Sequence, residues 1–209
     1  YLSKIVKPDI GVITNIGYSH IEKLGSRENI LKAKAEIAAN ISGGGFLLLN
    51  GDDEYLPKLR SRTDVKTIYF GCENKDCDIT FRIKDEKNGD FELGGYNFNS
   101  GLPGRHNIYN AAAAVIIGQY LKLTNGEIQS GLDSMELTDM RLSFEKTNGY
   151  TVICDCYNAA PDSMKASLKV LKDAEGERKI AVLASINELG DLRDSLLYEV
   201  GKTVAELKI

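Results

Sequence analysis

The 209-residue chain has no tryptophan and only two histidines, four cysteines and four prolines. Cys72 and Cys77 are separated by four residues, Cys154 and Cys156 by one, and no histidine neighbours either pair in sequence. None of these spacings is that of a zinc finger or ribbon, so the four together would bind zinc only through long-range assembly. They do not form the framework of a small disulfide-rich domain either, and no signal peptide precedes them, so a reducing cytoplasm is the expected location. Long apolar runs are also missing. The longest, FLLL at 46–49 and AAAAVIIG at 111–118, are too short for a membrane span. Positive charge is not in excess: the formal charge of −4 argues against a nucleic-acid or anionic-lipid surface as the main partner. A small anionic ligand stays compatible, since a few local donors suffice to bind it. No GxxxxGK[ST] phosphate loop occurs, and the glycines at 43–45 lack the lysine. Tyr1 stands where a start methionine would, so the sequence reads as cut from a longer protein.

What is present has the composition of a folded chain, 43% hydrophobic with charges of both signs interspersed. DIGVITNI at 9–16 and GFLLLN at 45–50 are short β-branched or apolar runs that suit buried parallel strands, and KTIYF at 66–70 is a third. Between the first two, Ser26 precedes a run free of Pro and Gly as far as Ser42, with Glu28 in its first turn, which predicts a helix. From 71 to 100 the pattern shifts to short alternating segments around Asn88-Gly89, which predicts antiparallel hairpins at the edge of the same domain. Helices follow over His106–Leu121 and Glu127–Met135. A second unit opens near Asp139: RLSFEKT and YTVICD around Asn148-Gly149, a helix from Pro161 to about Ala174, a strand RKIAVLA, and a helix from about Leu192. The fold class is α/β, with one domain at 1–138 and the beginning of another at 139–209.

Several side chains stand where chemistry would need them. Ile30, Ile37 and Ile41 set an apolar stripe on the first long helix, and Lys34 falls within it. Desolvation there disfavours the ammonium, and a neutral amine can capture carbon dioxide as an anionic carbamate. The competing reading has Lys34 run its stem out to solvent. His20 sits in the loop after the first strand, a ligand-binding position in α/β folds and equally a plain surface position. Asn107 and Asn110 share a helix face and have the donors and acceptors to read a planar base, although Asn107 would also serve as a helix cap. Arg141 and Asp155 flank the second unit's hairpin, suited to phosphate and a ribose hydroxyl or simply to solvent. Asp52 and Asp53 read as turn residues.

In order along the chain, KPDIGVITNIGYSH, LGSRENILKAKAEI, LLLNGDD, LPGRHNIYNAAAA, MRLSF, CDCYNAAPDSM and VLASINELG resemble the successive motifs of the Mur ligases. The resemblance covers nearly the whole chain apart from 71–100, and is nearest to members that add D-alanyl-D-alanine to a UDP-N-acetylmuramoyl tripeptide. It implies a mostly parallel central ATP-binding domain with an antiparallel hairpin region, then the start of a Rossmann-like C-terminal domain. The phosphate loop and the UDP-sugar-binding N-terminal domain would belong to the missing part of the same protein, leaving this chain inactive alone. It further implies ATP and magnesium as cofactors. His20 and Lys34 are then metal-site residues, the lysine as a carbamate. Asn107 and Asn110 lie on the adenine side, Arg141 near the phosphates and Asp155 on the ribose. Asn15, Tyr157, Asn158 and Glu188 fall on the side of the UDP-linked peptide and the incoming dipeptide.

The chain departs from the family pattern at Cys154, Cys156 and Ala160 in the DDSYNANP motif, at Ala184, Ser185 and Ile186 in GDMxELG, and at Leu197 where histidine is usual. The nucleotide side is therefore kept better than the acceptor side. Two alternatives stand beside a D-alanyl-D-alanine-adding ligase: a related ligase acting on folate glutamate tails, and a ligase-derived scaffold without catalysis.

Overall fold

The computed structural model describes residues 2–61, 63–136 and 140–209; the expected boundary between 138 and 139 lies outside the described residues, as does Tyr1. In chain order the elements are α1 (Leu2–Val6), β1 (Ile10–Ile13), α2 (Ile21–Leu24), α3 (Arg27–Ala35), β2 (Phe46–Asn50), β3 (Lys66–Gly71), β4 (Ile79–Asp85), β5 (Asp90–Leu93) and β6 (Tyr96–Asn99). Then come α4 (Arg105–Tyr120), α5 (Asn125–Asp133), β7 (Ser143–Thr147), β8 (Tyr150–Cys154), α6 (Pro161–Asp173) and α7 (Arg193–Leu207). Strands β1 to β6 form one sheet in sequence order, parallel from β1 to β4 and antiparallel from β4 to β6. This is the mixed α/β architecture expected from the alternation of patterns.

Both faces of the sheet are covered, which explains why β2 is apolar from Phe46 to Leu49. Phe46 and Leu48 point into a cluster built with Ile108, Ala112, Val115 and Ile116 of α4 and with the β4–β6 aromatics. Leu47 and Leu49 point the other way, onto Ile30 and Leu31 of α3. Burial of each such leucine stabilises the fold by about 1.5–3 kcal/mol. The alanines of α4 allow the helix to lie close against the sheet, and three of them, Ala111 to Ala113, are buried. Ile186, Leu189 and Leu196 of the second unit join the α3-side cluster, so that unit rests on the same face.

Two expectations need correction. The helix after Ser26 is capped as expected, the Ser26 side chain accepting from the Asn29 amide, but it is α-helical only to Ala35 and tightens to 3-10 over Glu36–Asn40. That tightening packs Ile37 and Ile41 over Gly11 of β1, where a Cβ would lie 3.3 Å from either δ-carbon. The RKIAVLA strand does not form: Ile180, Val182 and Leu183 are exposed, Val182 by 95%. Alternation alone does not make a strand. A ladder partner is required, and among the described residues β7 and β8 pair only with each other.

Candidate active site

The carboxyl ends of β1, β2 and β3 converge, the edge at which open α/β sheets bind ligands. There the backbone from Thr14 to Ile16 is fixed by four side chains from elsewhere. Asn50 Nδ2 donates to the Thr14 carbonyl at 3.0 Å, and Lys34 Nζ donates to that of Asn15 at 2.8 Å. The Ile16 amide donates to Asp53 Oδ2 at 2.9 Å. The Ile16 carbonyl accepts twice from Arg27, from Nε at 3.1 Å and from an Nη at 2.8 Å. Arg27 is itself held by Glu54 at 2.7 Å and lies over the rings of Tyr18 and Tyr55. The Asn15 side chain is left exposed.

Lys34 differs from the sequence expectation in one respect. The residue as a whole is exposed, so its stem is not buried in the apolar stripe. The ammonium instead reaches back to the end of β1. Crowding by protein around that tip lowers its pKa from the ordinary lysine value, and the Asp53 carboxylate partly opposes the shift. Free amine is therefore more accessible here than on a surface lysine.

Asp52 and Asp53 are more than turn residues. Asp53 Oδ1 also accepts from the Tyr55 and Leu56 amides at 2.8 and 3.0 Å, so one carboxylate ties the β2 end to the β1 end. Asp52 binds the loop after β3 through the amides of Cys72 at 2.7 Å and Asn74 at 2.6 Å, with Glu73 at 3.2 Å. It also accepts from the Tyr109 hydroxyl of α4 at 2.6 Å. Burial acts to raise the Asp52 pKa, but these donors outweigh it and hold the carboxyl below its ordinary value. Burial and the adjoining Asp52 push the Tyr109 hydroxyl up. Arg105 closes the network, pairing with Glu73 and, at 3.1 Å, with Glu86. Sequence gave no sign of these links beyond the two adjacent aspartates.

His20 caps α2 in the left-handed region (φ 63°), its side chain 66% exposed, and its Nδ1 pairs with Glu188 of the second unit. Lys23 lies 3.3 Å from the same carboxylate, and the two partners hold Glu188 below its ordinary pKa. The Glu22 amide donates to the Glu188 carbonyl at 3.0 Å. An open hollow of about 380 Å³ lies here, lined by Glu22, Ile186, Glu188 and Arg193.

The nucleotide-side candidates cluster less tightly. Asn107 is not the cap of α4; Gly104 is, and Asn107 Nδ2 donates to the Pro103 carbonyl at 2.8 Å. Asn110, one turn on, is exposed and carries the base-reading expectation alone. Asp155 binds the Ser167 hydroxyl and faces His106 at the start of α4. Burial lowers the His106 pKa while the Asp155 charge works against it. Thus the structure brings Asp155 to the helix bearing Asn107 and Asn110. Arg141 stacks on Tyr157, 4.3 Å from the ring centre, with both exposed, and Asn158 is exposed beside them.

The altered motif positions have visible surroundings. Ile186 is buried in the α3-side cluster and Leu197 packs on it, so both departures are absorbed as apolar contacts. Cys154 and Cys156 face each other with sulfurs 3.5 Å apart, whereas Cys72 and Cys77 pack against opposite clusters of the sheet. Burial pushes the Cys77 thiol up to about 11.

Comparison with known proteins places this geometry. The family profile described as Mur ligase middle domain matches residues 1–118, and that described as Mur ligase, glutamate ligase domain matches 140–209. A UDP-N-acetylmuramoyl-tripeptide--D-alanyl-D-alanine ligase of Bacillus subtilis is 37% identical over 100% of the chain and 46% of its own length. MurF from Acinetobacter baumannii superposes with a TM-score of 0.87 at 29% identity, covering 98% of this chain and 46% of that one. MurF from Thermotoga maritima, solved in complex with ADP, gives 0.84 at 27% identity over 97% of this chain and 48% of that one. The chain therefore spans about half the length of the relatives it matches.

Proposed function

The chain belongs to the Mur ligase family, and from that premise we propose that its protein is an ATP-dependent ligase joining D-alanyl-D-alanine to a UDP-N-acetylmuramoyl tripeptide. Residues 1–138 then form the greater part of the central ATP-binding domain and residues 139–209 the start of the C-terminal one. The observation that carries the reading is the Lys34 ammonium on the Asn15 carbonyl at 2.8 Å, at the mouth of the sheet. A scaffold without catalysis has no use for a partly desolvated lysine there. A cytoplasmic location belongs to the same reading; among the described residues no helix is long and apolar enough to cross a membrane.

Among the described residues no three carboxylate, imidazole or thiol groups converge as a ready cation site. The donor set fits magnesium once Lys34 carries a carbamate, because the lysine then offers oxygen rather than a positive charge. His20 suits the same role. Its Nδ1 lies on the Glu188 carboxylate, the pairing that orients a metal-binding imidazole and leaves Nε2 open. Bound magnesium would supply charge neutralisation around the transferred phosphoryl group. The chain's own contribution is placement. Asn110 and Asp155 hold adenine and ribose, Arg141 faces the phosphates, and Asn15, Tyr157, Asn158 and Glu188 line the peptide side. An oxygen of the tripeptide carboxylate attacks the γ-phosphorus and ADP departs. The dipeptide amine then attacks the acyl carbon, loses its proton, and the tetrahedral intermediate expels phosphate.

The intact protein given ATP, magnesium and the UDP-linked tripeptide is expected to form a new amide with D-alanyl-D-alanine and none with L-glutamate, as read by product mass. Glutamylation of a folate supplied in place of the tripeptide would favour the folate-tail alternative, and no amide on either acceptor would favour the scaffold.

A further inference from the structure

Gly17 lies in the loop after β1, and nothing in its backbone demands glycine, since its φ is outside the left-handed range. The demand is for space. A Cβ built there would stand 2.6 Å from Oδ2 of Asp162, far inside contact distance, while its next neighbours are at 3.7 and 3.9 Å. Asp162 belongs to the second unit, in the first turn of α6. The Tyr18 amide and the charges of Arg27 and Lys165 are the groups whose field favours its ionised form. Crowding pushes the Asp162 pKa up, with those two charges acting in the opposite sense. Arg27 binds the Ile16 carbonyl and pairs with Glu54, and its charge acts on Asp162 from farther off.

We propose that Asp162 is a positioning residue: it seats the second unit on the loop that holds Asn15 to Tyr18, with the missing side chain of Gly17 as its socket. Thr14, Asn15 and Ile16 are pinned from within their own domain by Asn50, Lys34, Asp53 and Arg27. The Gly17–Tyr18 end of the loop instead abuts Asp162 of the other unit. A second point of attachment, the Glu22 amide on the Glu188 carbonyl with Ile186 and Leu189 packed beside Ile21, keeps the two units in register. Closure and site assembly are then one event, so loss of the seat lowers kcat more than it raises KM for ATP.

The kinetic part of this inference rests on the ligase reading; the contact itself does not, and the test separates them. In the intact protein, G17A is expected to speed amide hydrogen exchange in segments 15–20 and 186–190 and to lower kcat roughly 10- to 100-fold. D162A, which adds no bulk at an exposed helix end, is expected to cost about tenfold in kcat and to speed amide exchange at 15–20. In G17A/D162A the added methyl has room, so exchange at 186–190 and kcat should return to the D162A level. The proposal is overturned if G17A behaves as wild type, or if D162A fails to relieve it. Should G17A not fold, D162A decides: unchanged exchange at 15–20 sinks the seat. If no ligase activity is found at all, the exchange pattern still answers for the contact.

Discussion

Replacing Lys34 with alanine in the intact protein is expected to lower kcat by a factor on the order of 10²–10³, the usual scale for losing one preorganised electrostatic group at a reacting phosphoryl or acyl centre. KM for ATP should change far less, because the base and ribose contacts proposed above fall elsewhere, on α4 and at Asp155. The proposed mechanism asks two tasks of Lys34 that this experiment can separate. As an ammonium it braces the Asn15 carbonyl, and as an amine of lowered pKa it can take up carbon dioxide. Formate or acetate added to Lys34→Ala restores a carboxylate but not a brace. Partial recovery with these acids therefore supports the carbamate, whereas loss without recovery leaves only the brace. Activity within a few-fold of wild type would remove Lys34 from the mechanism.

Asp52→Ala is expected to be the most damaging single change to stability. It deprives three backbone amides and the Tyr109 hydroxyl of their shared acceptor. Hydrogen bonds to a charged group contribute about 1.5–3 kcal/mol each when buried. Asp52 is only half-buried, so we discount the sum to roughly 2–4 kcal/mol, which lowers Tm by roughly 5–15 °C in a chain of this size. The same carboxylate gives a pH signature. Its native pKa is depressed, so its contribution is complete above the unfolded value near 4 and is lost as pH falls from there through the native value. Asp52→Asn should accordingly flatten the acid limb of a Tm against pH curve below about pH 4 while lowering the plateau. A curve parallel to wild type would show that the charge on Asp52 is not what the network uses.

How far the sequence reached depends on the range of the interaction that fixed each feature. The strand at Phe46–Asn50, helix α4 and the hairpin around Asn148-Gly149 follow from residues a few positions apart, and all three are where periodicity and turn chemistry put them. Lys34 was visible because its spacing from Ile30 marked it as unusual, yet spacing could not show that its tip, rather than its stem, is the desolvated part. The RKIAVLA segment had the local pattern of a strand and lacked what no local pattern contains, a neighbour to pair with. Arg27, Asn50, Asp53 and Asp162 were illegible for the same reason. Their partners are 11 to 37 residues away in three of these cases, and Asp162 meets Gly17 only because the second unit folds back on the first. The motif departures at Ile186 and Leu197 looked like lost function in one dimension; in three they are apolar side chains serving the same interface.

The central claim is that the site activates a carboxylate by phosphorylation and then forms an amide. Its most direct test is to give the intact protein ATP, D-alanyl-D-alanine and a UDP-linked tripeptide whose acceptor carboxylate carries ¹⁸O, and to analyse the released phosphate by mass. The account predicts that one labelled oxygen moves from peptide to phosphate with each amide formed. Unlabelled phosphate released alongside product, or label recovered in AMP, would contradict it.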